Sequence, residues 1–236
     1  MRRKLQAILG MMLFVACAAT ADKPGGPLDD LPLVVNAPST AGQDLAVFLS
    51  GDGGWAKIDA SLSAELLKAG YGVVGLNGYR YFRTQKTPEQ LTRDLTRISE
   101  AFLHKWHRSR LLFLGYSRGA EVLPFAAARF DADLKRRTDA LVLLGPSTFT
   151  GFKLRLSDFF ENRRHKDSVD VLPEARKVDN RIICVYGLEE KDSLCPLLRD
   201  KASLIPLAGA HHFDQHYTEL AQKVLAQLDR TPSGDK

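Results

Sequence analysis

The stretch LLFLGYSRGAEVLPFAAARF, residues Leu111–Phe130, decides the fold. It opens as an unbroken apolar run, the pattern of a strand covered on both faces. It then turns through Gly115-Tyr116-Ser117-Arg118-Gly119 and continues as an apolar helix. This is G-x-S-x-G between a strand and a helix, the arrangement of a nucleophile elbow. A serine on such a turn needs small neighbours where the new helix packs on the strand. The turn lifts the Ser117 hydroxyl above the sheet and aims the helix N-terminus, with its unsatisfied N–H groups, at the same place. The alternative reading makes Ser117 an ordinary N-cap between two turn glycines.

Outward from this stretch, the chain alternates apolar runs and helical segments, which predicts an α/β-hydrolase fold: a mostly parallel sheet with helices on both faces. Upstream, Leu33–Ala37 reads as an edge strand and Leu45–Ser50 as a buried one, running into Gly51-Asp52-Gly53-Gly54-Trp55. A glycine-rich turn after an early strand suits a place where backbone N–H groups face a ligand. Here it predicts an oxyanion hole made by the N–H groups of Asp52 and Arg118. A phosphate loop is the rival, but the Lys and Ser/Thr of a P-loop are missing; a plain tight turn is the other. Gly53, Trp55 and Glu121 are candidate substrate contacts. A helix from about Ile58 to Ala69 and a strand Tyr71–Leu76 follow. The loop Asn77–Thr87 interleaves Tyr79, Tyr81 and Phe82 with Arg80, Arg83 and Lys86. It reads either as a grip on anionic headgroups or bases, or as a half-packed solvated loop. Thr87-Pro88-Glu89-Gln90 then opens an amphipathic helix to about Trp106.

Downstream, Ala140–Gly145, Arg181–Gly187 and Ser203–Leu207 read as strands, and a helix runs from about Gln215 to Leu228. Residues 146–172 show no clear strand and predict a lid or specificity insert over the carboxyl ends of the sheet; His165 within it reads as a solvated loop residue. A serine elbow, an acid after the penultimate strand and a histidine after the last strand form the chain order of an α/β-hydrolase triad. The acid candidates are Glu189, Glu190 and Asp192. Asp192 is preferred because it precedes an apolar pair and a proline, Leu194-Cys195-Pro196, as the acid commonly does in related enzymes. Among Gly209-Ala210-His211-His212-Phe213, His212 is preferred as the base, with His211 its neighbour and rival. The expected triad is Ser117, Asp192 and His212. A metal cluster at these histidines is disfavoured by the lack of H-E-x-x-H spacing, so neither metal nor cofactor is expected.

The 236 residues suffice for one large core. Met1-Arg2-Arg3-Lys4, the apolar Leu5–Ala16 and Ala19-Thr20-Ala21 read as a secretory signal over residues 1–21, cleaved at an A-x-A site. Lipid attachment at Cys17 is the rival outcome. Residues 22–32 read as a mobile leader, 33–229 as the hydrolase domain and 230–236 as a frayed tail. Removing the signal lowers the formal charge from +5 to +2, which weakens any nucleic-acid reading. Cys184 and Cys195 then remain, and in an exported protein they predict one disulfide.

The segments Ser50–Trp55, Gly115–Val122, the Cys184…Asp192-Ser193-Leu194-Cys195-Pro196 block and Gly209–Asp214 together resemble the VirJ/AcvB family of bacterial virulence proteins, over about Leu33–Leu228. The signal and single domain are similar to the shorter, VirJ-type members. The resemblance implies an exported, periplasmic α/β-hydrolase. For AcvB-type members it implies hydrolysis of lysyl-phosphatidylglycerol, an aminoacylated phospholipid. A membrane surface and secreted virulence proteins are the partners it implies. Glu121, Asp52 and Asp158 are candidates to face the lysyl cation, and Tyr79–Lys86 or Phe149–Lys166 to face the anionic bilayer. A different esterase or thioesterase on the same triad, or a non-catalytic partner on the same fold, are the competing expectations.

Overall fold

The computed structural model describes residues 28–39, 42, 44–155 and 164–230. The expected signal 1–21 with Cys17, the leader as far as residue 27, Asp158 and the tail from 231 lie outside the described residues. In chain order the elements are β1 (Leu33–Asn36), β2 (Asp44–Leu49), α1 (Lys57–Lys68), β3 (Gly72–Leu76), α2 (Gly78–Tyr81) and α3 (Pro88–Lys105). Next come β4 (Arg110–Tyr116), α4 (Arg118–Ala127), α5 (Ala132–Arg137), β5 (Thr138–Leu144), β6 (Phe149–Thr150) and β7 (Val169–Asp170). The described chain closes with α6 (Leu172–Lys177), β8 (Arg181–Gly187), β9 (Ala202–Leu207) and α7 (Tyr217–Leu228).

Seven strands form one sheet in the order β1-β3-β2-β4-β5-β8-β9. Only β1 runs antiparallel within it; the other pairings are parallel. Parallel strands need crossovers, and the crossovers cover both faces, so the inner strands are apolar throughout rather than alternating. Leu45, Val47 and Leu49 of β2 join Leu91, Leu95 and Ile98 of α3 in one core layer. Ala46 and Phe48 point the other way, into a layer with Ile58 and Leu62 of α1 and Leu220 and Val224 of α7. The result is the α/β-hydrolase fold. Because the six parallel strands share one direction, the loops after β2, β4, β5, β8 and β9 all emerge at one edge.

Helix α3 starts as its sequence predicts. Thr87 Oγ1 accepts from the Gln90 N–H at 3.2 Å, Gln90 Oε1 accepts from the Thr87 N–H at 2.9 Å, and Pro88 opens the first turn. The Asn77–Thr87 loop is half-packed and half-solvated, the second of its two expected forms, and it also holds the short helix α2. Asn77 caps the short α2 by accepting from the Arg80 N–H at 3.1 Å. Tyr81 and Phe82 are buried in the α3-side core, and Tyr81 donates its hydroxyl proton to Asp94 at 2.7 Å. Two of its three aromatics are therefore packing residues, while Tyr79, Arg80 and Arg83 face solvent.

The described parts of residues 146–172 hold strands that their sequence does not suggest. β6 and β7 form a two-stranded antiparallel ribbon, Phe149 opposite Asp170 and Thr150 opposite Val169. Strands of two residues are too short to show a period. Phe152 anchors the insert, with its ring 5.3 Å from that of Phe125 on α4. Among the described residues, no helix is long and apolar enough to cross a membrane.

Candidate active site

Ser117 sits between β4 and α4 with φ 53° and ψ −124°, a strained conformation for a residue with a Cβ. Two glycines permit it. A Cβ on Gly115 would overlap the backbone of Gly119 and Ala120, and one on Gly119 would overlap the Leu49 carbonyl of β2. The Ser117 N–H donates to the Leu144 carbonyl at 2.9 Å, which ties the turn to β5. The elbow is thus built by close backbone packing, as the motif requires.

The serine hydroxyl meets His211, not His212. His211 Nε2 lies 2.9 Å from Ser117 Oγ, and His211 Nδ1 lies 2.6 Å from Glu190 Oε1. An ionised carboxylate only accepts, so Nδ1 carries the proton and Nε2 is left to accept from the serine. The imidazole stacks on Tyr116, ring centroids 5.3 Å apart and planes 26° apart. Gly145, after β5 at φ 57°, makes room: a Cβ there would lie 3.1 Å from the His211 ring and 3.3 Å from Glu190 Oε1. Neither Tyr116 nor Gly145 has a motif that marks it; each follows from lying at the end of a central strand.

Two expected residues are therefore corrected. His212 turns outward, is exposed, and places Nδ1 2.8 Å from the Tyr116 hydroxyl. The cause is Phe213, which is buried in the α7-side core and, with Asp214 and Gln215, adopts positive φ; this tight turn aims the consecutive histidines differently. Asp192 lies further along the loop, exposed on the cavity wall, and neither ring nitrogen of His211 bonds to it. Glu190 stands beside the imidazole instead because a turn at the end of β8 fixes it. Its N–H donates to the Gly187 carbonyl at 3.0 Å, and its Oε2 accepts from the Gly187 N–H at 2.8 Å.

The glycine loop after β2 borders the same hydroxyl. A Cβ on Gly51 would lie 3.0 Å from Ser117 Cβ and 3.6 Å from its Oγ. Among the described residues the Asp52 N–H has no partner, and the Arg118 N–H belongs to the first turn of α4. Gly53 lines the cavity and is exposed. Trp55 does not line it: its ring packs over Gly75 of β3 and stands edge-on to Phe48 at 5.5 Å, partly buried against the α1-side core.

The cavity above the serine holds about 630 Å³ and mixes acids with bases. Glu121, one turn into α4, forms part of its wall and is 7 % exposed. Burial pushes its carboxyl above the usual range, opposed by the Arg118 guanidinium, and its Oε1 accepts from the Ser147 N–H at 3.3 Å. Lys57, Lys153, Arg155 and Lys191 line the same space, as does His165, whose N–H donates to Ser168 Oγ at 2.8 Å. The Cys184–Cys195 disulfide forms, with Cα atoms 5.4 Å apart, and brackets the loop that carries Glu190.

A family model described as bacterial virulence protein (VirJ) matches residues 43–231. The chain belongs to the VirJ family. No curated protein matches this VirJ-family chain in sequence. Among solved structures it is similar to Est1E from Butyrivibrio proteoclasticus, at 12 % identity and a TM-score of 0.61, over 86 % of this chain and 97 % of that one. It is also similar to the enol-lactonase from Burkholderia xenovorans, at 16 % identity and 0.59, over 85 % and 96 %. An α/β serine hydrolase without lid from Xanthomonas campestris matches at 16 % identity and 0.54, over 85 % and 90 %. At such identities the likeness is one of fold, and it agrees with the sheet order described above.

Proposed function

We propose that this VirJ-family chain is an exported serine esterase that removes the aminoacyl group of lysyl-phosphatidylglycerol at the periplasmic face of the membrane. The observation that carries the hydrolase reading is the continuous hydrogen-bond chain from Glu190 through His211 to Ser117, facing an open cavity. In this reading His211 Nε2 takes the Ser117 proton as Oγ attacks the ester carbonyl, and Glu190 steadies the imidazolium. The N–H groups of Asp52 and Arg118 receive the oxyanion. His211 then returns its proton to the departing glycerol oxygen. A water attacks the lysyl-serine ester by the same route and frees lysine.

The substrate follows from the family resemblance and is supported by the cavity's charges. Glu121 is a buried carboxyl on its wall, suited to an ammonium group, whose arrival would draw the carboxyl back to its charged form. Lys57, Lys153 and Lys191 would face a phosphodiester. Export is supported by the disulfide, since such bonds persist in oxidising compartments.

The test is to incubate mature protein and its Ser117→Ala form with lysyl-phosphatidylglycerol liposomes and measure free lysine. Release by the wild type alone establishes the reaction and its nucleophile. Labelling of Ser117 by a fluorophosphonate without lysine release would move the substrate to another ester or thioester. Neither would leave a binding role on the same fold.

A further inference from the structure

Arg118 is one of the few buried charged residues, at 8 % exposure, and it follows the nucleophile directly. Its side chain does not enter the cavity as a lone cation. Nε and Nη2 grip the Asp52 carboxylate fork to fork, the latter at 2.8 Å, and Nη1 donates to the Gly151 carbonyl at 2.7 Å. We propose that this ion pair is a clamp that sets the oxyanion hole: the residue carrying one donor N–H holds, through its side chain, the residue carrying the other. The proposal rests on the hydrolase reading above and deepens it.

Loop composition explains why a clamp is needed. Between Ser50 and Trp55, Asp52 is the one residue with a side chain. Gly51 and Gly54 are packed at the two ends of the turn, and the Gly54 N–H donates to the Gly51 carbonyl at 3.0 Å, but Gly53 has open space around it, so between those ends packing does little to orient the peptide units. Upstream, Ser50 Oγ accepts from the Gly78 N–H at 2.9 Å and fixes the start of the loop. Past that point the Asp52 carboxylate is the only side-chain handle on the donor. A bidentate guanidinium–carboxylate pair restrains both distance and plane, which a lysine could not do. The second anchor, at Gly151, joins the same guanidinium to the insert above the cavity. Arg118 and Asp52 are thus positioning residues through their side chains, while their N–H groups serve the oxyanion.

Charge neutralisation alone makes a different forecast. If the pair merely keeps a buried guanidinium and a partly buried carboxylate matched, removing both should restore what removing one loses. If it positions the donor, removing both leaves the loop free and the rate low. The experiment therefore compares Asp52→Ala, Arg118→Met, their double variant and the conservative Asp52→Asn on p-nitrophenyl butyrate. Alongside, hydrogen exchange is followed in the peptide spanning residues 50–55. The clamp predicts that kcat falls by about 10²-fold in both single variants and stays low in the double, with KM within about threefold. It also predicts that Asp52→Asn keeps more of the rate than Asp52→Ala, and that the 50–55 amides exchange faster in the alanine, methionine and double variants. Recovery of kcat in the double variant, or unchanged exchange, overturns the clamp. If the wild type neither cleaves the ester nor takes up a fluorophosphonate, the hydrolase reading fails. The exchange data still decide whether the pair orders the loop.

Discussion

At the scale of the residue, the two neighbouring histidines meet different partners. His211 bridges Glu190 and Ser117, whereas His212 meets only Tyr116 among their common neighbours. His211→Ala should therefore lower kcat on a p-nitrophenyl ester by on the order of 10³–10⁴-fold, and His212→Ala by less than about tenfold. The acids divide in the same way. Glu190→Gln keeps the shape but favours the wrong imidazole tautomer, so a loss of roughly 10²–10⁴-fold is expected, against less than about threefold for Asp192→Asn. Steady-state rates of these four variants, with labelling by a fluorophosphonate as a check on the serine, would expose a wrong assignment at once.

At the scale of the element, the site depends on how strand ends are braced. Helix α4 docks so closely on β2 that a methyl on Gly119 would overlap the Leu49 carbonyl. Gly119→Ala should cost about 2 kcal/mol or more in urea unfolding, through displacement of α4 rather than loss of contact area. The β8 loop has a different brace. Cys184 on β8 and Cys195 enclose Glu190, with a sequence separation of 11. For a loop of that size, the double Cys184→Ala/Cys195→Ala variant should lose roughly 3 kcal/mol of stability. Its kcat should fall more than its KM rises, because Glu190 rides on the freed loop. Equal stability with and without reductant in the wild type would contradict this role.

At the scale of the whole molecule, a buried acid outside the Ser117–His211–Glu190 chain shapes the response to pH. Asp59 on α1 is fully buried; its Oδ2 accepts from the Ala56 N–H at 2.8 Å, while its Oδ1 has no hydrogen-bond partner. Burial pushes its carboxyl up from 3.8 to about 7. Between those values the folded chain holds a proton that the unfolded chain has released. Its contribution to stability therefore falls as pH rises through this window and stays low above it. Asp59→Asn should match the wild type at or below about pH 4 and exceed it at pH 8, by on the order of 2–4 kcal/mol in chemical denaturation. Parallel pH profiles for the two proteins would refute it. Over the same whole, the apolar runs and their order already specified a parallel sheet, the elbow at Ser117 and the strand ends that carry Glu190 and His211. These are local or chain-order properties: a strand covered on both faces must be apolar along its length, and a serine elbow must have its glycines. Tertiary structure alone decided between Glu190 and Asp192, between His211 and His212, and whether Trp55 lines the cavity or the core. Residues that adjoin in sequence share the same local pattern, and only the direction of each side chain, set by the burial of Phe213 and the turn after Gly187, tells them apart.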